Sequence, residues 1–173
     1  SVAEQGRDEL KGPLRLGVIY TVGPYLLPHL IPQLRATSPD MPLIIEENLT
    51  GQLTQQLRNN ELDAVIVAMP YDVSGMSVWP IYDESFVVVM PQTHAWARRE
   101  SIEANDLADE NLLLLGPGHC FRDQVLNLCA GCRETEEAHR TRSGSSLETI
   151  RHMVASGLGV TVLPRSSIPN LSH

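Results

Sequence analysis

Long hydrophobic runs are missing from this sequence, and their absence argues against a helix that crosses a membrane. The longest apolar stretches, such as Leu112–Leu115, are far shorter than the roughly 20 residues that span a bilayer. The polar and charged residues 1–11 do not resemble a secretory signal peptide. We therefore expect a cytoplasmic protein that has no contact with membranes.

Positive charge is also scarce. The 173 residues include 13 Lys and Arg against 21 Asp and Glu, which gives a formal net charge of -8. Nucleic-acid binding needs clustered Lys and Arg to neutralise phosphates, and neither a basic stripe nor a helix-turn-helix pattern is present. We therefore predict that this chain does not bind DNA by itself and that any DNA-binding module lies outside it.

Cysteine is the third scarce residue type. The chain has three, Cys120, Cys129 and Cys132, and they form one cluster. An odd number in one cluster does not fit the disulfide framework of a secreted domain. In a reducing compartment such residues are metal ligands, reactive thiols or buried core cysteines, and residue type alone leaves these alternatives open.

The sequence does contain an alternation of strand and helix patterns, without internal repeats or low-complexity linkers. This alternation favours a parallel α/β sheet, in which ligands bind where strands end and helices begin. Strands are predicted for residues 14–20, 43–47, 63–68 and 85–90, for Leu112–Leu115 and Val160–Pro164, and a further extended segment for 77–82.

Helices are predicted between these strands. Apolar residues recur at helical spacing in the segment after the first strand, although Pro24, Pro28 and Pro32 oppose a regular helix there. Thr21 and Thr50 are candidate N-caps of the first two helices. Further on, Phe121, Val125 and Leu128 form an apolar stripe, residues 145–148 fit a capping box, and Gly157 ends the last helix.

Several segments carry a resemblance to a known family. Residues 12–17, 61–64 and 157–164 resemble the effector domains of LysR-type regulators. Three sharper motifs resemble the OxyR-type peroxide sensors of that family: YTVGPYLLP at 20–28, GHCFRDQ at 118–124 with Cys129 beyond it, and SLETIR at 146–151. The similarity extends from about residue 12 to residue 164, which is most of the chain.

The resemblance implies two Rossmann-like subdomains joined by a hinge, as in periplasmic binding proteins. Residues 12–83 would form regulatory subdomain I, and residues 84–164 would form the redox-active subdomain II. Residues 1–11 would be the end of a linker that follows a winged helix-turn-helix, and residues 165–173 would begin a truncated C-terminal return.

Cys120 is the candidate peroxide-reactive residue. A thiolate, and not a thiol, attacks peroxide. A predicted helix start favours an anion, Arg122 could supply a nearby cation, and His119 could donate or accept a hydrogen bond. From the residues alone, an inert core cysteine is an equally open alternative, and it is the resemblance that implies the reactive role.

The resemblance also implies that oxidised Cys120, a sulfenic acid, condenses with Cys129 as the resolving cysteine. Within one helix their Cα atoms would be about 13 Å apart, whereas a disulfide needs about 7 Å or less. Forming the bond would therefore unwind the helix, and that rearrangement would be the switch. Core packing beside Val125 is the alternative for Cys129.

Further polar residues receive roles from the resemblance. Thr21, Thr50 and His119 would bind peroxide, and Asp123 would help to move a proton to the departing water. The alternatives are helix capping for the two threonines, a favourable first-turn charge for Asp123 and a surface ion pair for Arg122.

Cys132 lies outside the matched motifs, in a predicted polar loop of residues 131–144. We expect a loop cysteine without a role, although it could compete as a resolving thiol. The Cys129-x-x-Cys132 spacing is discounted because this motif opens a helix in redox enzymes. A zinc site built from the three cysteines and His119 is a minor alternative, and neither a metal nor a cofactor is predicted.

The resemblance implies a redox-sensing domain of a transcription regulator and not an enzyme. Hydrogen peroxide would be the signal, and a Cys120–Cys129 disulfide would alter the packing of a homodimer or homotetramer. The complete regulator would bind DNA through a helix-turn-helix domain, activate antioxidant genes with RNA polymerase, and be reduced by glutaredoxin or thioredoxin. The alternatives are a LysR-type domain that binds an organic metabolite and a thiol peroxidase.

Overall fold

The computed structural model describes residues 12–133 and 143–169. The chain divides into two compact units, one up to Met69 and the other from Pro70, and each unit has its own sheet. The predicted α/β class with two sheets is confirmed. Within the described residues, no helix combines the length and apolar character that a membrane span requires.

A parallel sheet of three strands forms the first unit. Strand β1 (Leu14–Ile19) lies between β2 (Leu43–Asn48) and β3 (Ala64–Ile66). Helix α1 (Gly23–Thr37) connects β1 to β2, and helix α2 (Thr50–Arg58) connects β2 to β3. The core of this unit includes the buried side chains of Ile19, Leu53 and Leu62.

Helix α1 is continuous although it contains three prolines. Pro24 lies in its first turn, and Pro28 and Pro32 lie inside it. A spacing of four residues puts all three on one face of the helix, and all three are exposed. Backbone carbonyls that lose a helical partner on this face can bond to water, which lowers the usual cost of an interior proline.

The second unit is built on a mixed sheet of four strands in the order β4-β7-β5-β6. These strands are β4 (Phe86–Val89), β5 (Leu112–Leu115), β6 (Ser143–Gly144) and β7 (Val160–Pro164). Strand β5 runs parallel to β7, as predicted, and also to β6. The prediction of a loop over residues 131–144 is wrong for β6, because Ser143 and Gly144 pair with the end of β5. The prediction of a fully parallel sheet is wrong for β4, which pairs with β7 in the antiparallel direction.

Among the described residues, two α-helices accompany this sheet, α3 (Cys120–Leu128) and α4 (Leu147–Ala155). The N-cap of α4 is Ser146, one residue later than the predicted capping box, and its hydroxyl accepts a hydrogen bond from the Thr149 backbone nitrogen at 3.1 Å. Gly157 follows the helix with φ of +81°, a conformation that favours glycine. The predicted apolar face is confirmed by the burial of Leu147, Ile150 and Val154.

Other predictions differ from the structure. Residues 77–82 form no strand, and Trp79 is 81% exposed. Strand β3 is short and partly exposed because it lies at the edge of its sheet. Leu128 ends the predicted apolar stripe of α3 but is largely exposed. The predicted linker end at 1–11, most of the predicted loop at 131–144 and residues 170–173 lie outside the described residues.

Candidate functional site

The candidate site lies at the junction between strand β5 and helix α3. All four residues of β5 are buried leucines. The turn that follows contains Gly118 with φ of +94°, which a residue with a side chain rarely adopts. His119 then has an extended backbone as the N-cap, so Cys120 is the first residue of α3. The prediction that Cys120 opens a helix after a buried strand is confirmed.

Cys120 is partly buried and does not take part in a disulfide. The backbone N–H groups in the first turn of a helix have no partners within the helix, and together they favour a negative charge nearby. A thiolate at this position would benefit from that field. Part of the residue remains exposed to solvent.

Arg122 is buried, with only 7% of its surface exposed. Its Nη1 donates a hydrogen bond of 2.8 Å to the carbonyl oxygen of Leu115, the last residue of β5. The alternative of a surface ion pair is therefore wrong. Because a guanidinium stays protonated in proteins, the first turn of α3 holds a permanent positive charge two residues after Cys120.

His119 and Asp123 differ in their surroundings. Burial lowers the pKa of the His119 imidazole, which favours its neutral form near pH 7. A neutral imidazole has one donor and one acceptor nitrogen, so it could hold or receive a proton beside Cys120. Asp123 is exposed in the first turn of α3, where a carboxylate is favourable to the helix dipole.

Thr21 and Thr50 belong to the first unit. Strands β1 and β2 are paired in register up to their last residues, and each threonine lies two residues beyond the end of its strand. Both are buried, at 6% and 2% exposure. The N-caps of α1 and α2 are instead Val22 and Leu49, neither of which makes a side-chain cap bond, so the predicted capping by these threonines is wrong.

The structure therefore brings the predicted site residues together in two groups. The two threonines share one end of the first sheet. His119, Cys120, Arg122 and Asp123 occupy the N-cap and first turn of α3 in the second unit.

At the other end of α3, Cys129 and Cys132 form a disulfide. Their Cα atoms are 5.3 Å apart, and both side chains are fully buried. Cys129 is the C-cap of α3, and Cys132 ends a 3-10 turn, Ala130–Cys132, in which its backbone nitrogen donates to the Cys129 carbonyl at 3.2 Å. The expectation of an unpaired loop cysteine at position 132 is wrong, because Cys132 is buried in a turn and bonded to Cys129.

The Cys-x-x-Cys spacing is the sequence signal that indicates this pair. A 3-10 turn aligns residues three apart, so the two sulfur atoms meet without any change elsewhere in the fold. Although this motif lies at the end of a helix, the 3-10 turn that follows the helix still brings the two cysteines together.

Helix α3 separates Cys120 from Cys129. Nine residues form the helix, and Cys129 follows its last residue. At a rise of 1.5 Å per residue the two Cα atoms are about 13 Å apart along the axis. A disulfide between them therefore needs at least part of α3 to unwind.

A zinc site among these residues finds no support. In residues 12–133 and 143–169, no group of three or more His, Cys, Asp or Glu side chains is arranged to hold a metal ion.

Known proteins are similar in sequence to this chain over most of its length. The LysR substrate binding domain model matches residues 7–173. The DNA-binding transcriptional dual regulator OxyR of Escherichia coli K12 is 42% identical over 168 residues, which cover 97% of this chain and 54% of that protein. The chain thus spans about half the length of the curated relatives it matches.

Solved structures give the same result. The reduced OxyR regulatory domain from Pseudomonas aeruginosa is 50% identical with a TM-score of 0.81, over 95% of this chain and 78% of that one. A reduced form of OxyR from N. meningitidis is 44% identical with a TM-score of 0.88, over 93% and 76% of the two chains. These similarities support the predicted resemblance and the predicted fold.

Proposed function

Since the chain belongs to the LysR substrate-binding domain family, we propose that it is the hydrogen-peroxide-sensing regulatory domain of a transcription activator. One observation carries the proposal: a partly exposed cysteine opens helix α3 two residues before a buried arginine, and a second cysteine follows the last residue of the helix. The names of several relatives, "hydrogen peroxide-inducible genes activator", support the choice of signal.

The first chemical step is the oxidation of Cys120. Its thiolate attacks one oxygen of hydrogen peroxide, the O–O bond breaks, and the other oxygen leaves as hydroxide, which takes a proton to become water. The product at Cys120 is a sulfenic acid. The backbone amide groups in the first turn of α3 face the region where negative charge is present during this step.

Four further residues act on the peroxide. His119, Thr21 and Thr50 bind and orient it, and Asp123 helps to deliver the proton to the departing oxygen. The burial of both threonines beyond adjacent strand ends supports their role, because polar groups at such ends bind ligands in α/β folds.

In the second step Cys129 resolves the sulfenic acid. Its thiol attacks the Cys120 sulfur, water leaves, and a Cys120–Cys129 disulfide forms. Because α3 cannot persist across this bond, residues 120–129 adopt another conformation. That change, within subdomain 84–164 and not within subdomain 12–83, alters how protomers pack in a homodimer or homotetramer.

The complete regulator acts in the cytoplasm on DNA. It binds DNA through a helix-turn-helix domain outside this sequence, contacts RNA polymerase and activates antioxidant genes. Glutaredoxin or thioredoxin reduces the disulfide and ends the response.

Mass measurement tests the proposal. The protein is first fully reduced and then exposed to stoichiometric hydrogen peroxide. We expect the intact mass to fall by two hydrogens, and we expect Cys120→Ser to keep its mass over the same period. An unchanged mass in the unsubstituted protein would overturn the proposed function.

A matched variant is available for this test. Cys132→Ser also removes one thiol but leaves the proposed Cys120 and Cys129 pair, so its mass should still fall by two hydrogens. Loss of oxidation in this variant would contradict the assignment of Cys129 as the resolving residue.

A further inference from the structure

We propose that Cys132 is a third redox thiol, which takes over the bond to Cys129 and returns Cys120 to its thiol form. This inference rests on the proposed function, because it begins from the Cys120–Cys129 disulfide. It goes further by assigning a chemical role to Cys132 and an internal end to the signalling state. The cysteine pairing in the structure is the product state of this exchange, with Cys129 bonded to Cys132 and Cys120 outside any disulfide.

Distance favours Cys132 over Cys120 as the partner of Cys129. The Cα atoms of Cys129 and Cys132 are 5.3 Å apart, which is within the range that a disulfide requires. Cys120 lies about 13 Å from Cys129 along the axis of α3. Only the bond to Cys132 is compatible with an intact helix.

Packing holds the Cys132 pair in place. The turn Ala130–Cys132 packs against the 3-10 helix Ala104–Asp109, so closely that a Cβ atom added at Gly131 would lie 3.0 Å from the Cβ of Ala108. Both sulfur-bearing side chains are fully buried. Because the turn is ordered by its surroundings, Cys132 reacts as an intramolecular nucleophile with little loss of entropy.

The apolar burial in helix α3 also favours the Cys129–Cys132 bond over the Cys120–Cys129 bond. The helix buries Phe121, Val125 and Leu126, and all three lose this burial when it unwinds for the Cys120–Cys129 bond. Exchange to the Cys129–Cys132 bond allows the helix to form again. The exchange therefore recovers apolar burial while it conserves the number of disulfide bonds.

The exchange step is balanced in atoms and electrons. The Cys132 thiolate attacks the Cys129 sulfur of the Cys120–Cys129 disulfide, a Cys129–Cys132 bond forms, and the bond to Cys120 breaks. Cys120 leaves as a thiolate and takes up the proton that Cys132 gave up. No oxidant beyond the first hydrogen peroxide molecule is used, and no external reductant is needed for this step.

Time-resolved peptide mapping tests the inference. The purified, fully reduced protein is treated with one equivalent of hydrogen peroxide, alkylated at intervals with N-ethylmaleimide, and digested without reduction. We expect a Cys120–Cys129 disulfide first, and then a Cys129–Cys132 disulfide with Cys120 alkylated. In Cys132→Ser the reaction should stop at Cys120–Cys129, with the lifetime of that bond at least about tenfold longer.

Two further variants serve as controls for the peptide map. Cys132→Ala repeats the test without placing a hydroxyl in the buried site, and it should also stop at Cys120–Cys129. Cys120→Ser should form the Cys129–Cys132 bond far more slowly than the unsubstituted protein, because the exchange requires Cys120. Equal rates in the two proteins would overturn the inference.

The remaining outcomes separate this inference from the proposed function. A stable Cys120–Cys129 disulfide with alkylated Cys132 in the unsubstituted protein would overturn the inference and leave the proposed function intact. If Cys120 is alkylated at every interval and no disulfide appears in any variant, the proposed function fails, and the inference fails with it.

Discussion

Arg122 is a buried charged residue in the first turn of α3, close in sequence to Cys120. A buried cation is costly unless it is hydrogen-bonded, and the bond to the Leu115 carbonyl at 2.8 Å helps to satisfy it. The same bond ties the first turn of α3 to the end of β5. The side chain of Arg122 therefore links the helix that begins at Cys120 to the sheet.

Replacing Arg122 by alanine should therefore destabilise the protein. We expect the free energy of unfolding to fall by about 1–3 kcal/mol, since the Leu115 carbonyl loses a charged partner. Urea denaturation followed by circular dichroism measures this change. Arg98→Ala, which removes an exposed arginine, is the matched control and should change the free energy by less than about 0.5 kcal/mol. An unchanged urea midpoint in Arg122→Ala would contradict the prediction.

His119 gives a prediction for pH. Because burial lowers its pKa in the folded protein, the unfolded chain binds more protons at this residue below pH of about 6.5. Stability from this source is fully present above that pH and declines as the pH falls toward the lower pKa of the folded state. Urea midpoints measured between pH 8 and pH 5 should show this decline.

The variant His119→Gln tests this pH effect. Its urea midpoint should fall less between pH 8 and pH 5 than that of the unsubstituted protein. His152→Gln, at an exposed position in α4, is the matched control and should behave like the unsubstituted protein. Identical pH profiles in the two variants would show that His119 does not contribute.

Among the elements, helix α3 is the one whose stability sets the cost of the proposed switch. Phe121 is buried in its first turn, and its ring meets that of Phe86 on β4 edge to face, with the centroids 5.0 Å apart. This contact fixes the start of the helix to the sheet. Any unwinding that begins at Cys120 must first release Phe121.

Removing the aromatic ring of Phe121 should lower the stability of helix α3. We expect Phe121→Leu to lower the free energy of unfolding by about 1 kcal/mol or more, and Phe121→Ala by about 3–5 kcal/mol. In the leucine variant, amide hydrogen exchange in residues 120–128 should become faster, and so should formation of the Cys120–Cys129 disulfide. Faster amide hydrogen exchange without faster formation of the Cys120–Cys129 disulfide would contradict the expectation that unwinding of α3 limits the rate of disulfide formation.

The elements also show what local sequence can predict. Strands β5 and β7 have the predicted bounds, because continuous apolar runs between polar residues are a strong local signal. The direction of β4 was not predictable, since pairing depends on distant residues and not on its own sequence. The sequence does not decide whether α1 is a continuous helix. Its prolines are tolerated because they share an exposed face, and which face is exposed depends on tertiary packing.

The local structure of the candidate site could be predicted only in part from the sequence. The motif around Cys120 correctly indicated a helix start, because glycine, an extended N-cap and apolar spacing are all local features. The capping roles of Thr21 and Thr50 were wrong by one residue, within the usual uncertainty of helix boundaries. The Cys129–Cys132 bond was not predicted, because the Cys-x-x-Cys spacing was discounted at the end of a helix and the 3-10 turn that follows leaves no hydrophobic pattern in the sequence.

For the whole molecule, net charge is the property that bears on binding to DNA. With a formal charge of -8, the chain repels phosphate groups. We expect no change in the fluorescence anisotropy of a labelled DNA duplex when this chain is added at about 0.15 M salt, near physiological ionic strength. Binding that weakens steeply with added salt would contradict this prediction.

The strand order of the second sheet has a consequence for biosynthesis. Strand β7 lies between β4 and β5, yet it leaves the ribosome after both of them. The first unit can pair its strands once Met69 has emerged, whereas β5, with its four leucines, waits several seconds for β7 at typical translation rates. During that interval the nascent chain exposes an apolar strand edge, which is the kind of surface at which aggregation begins.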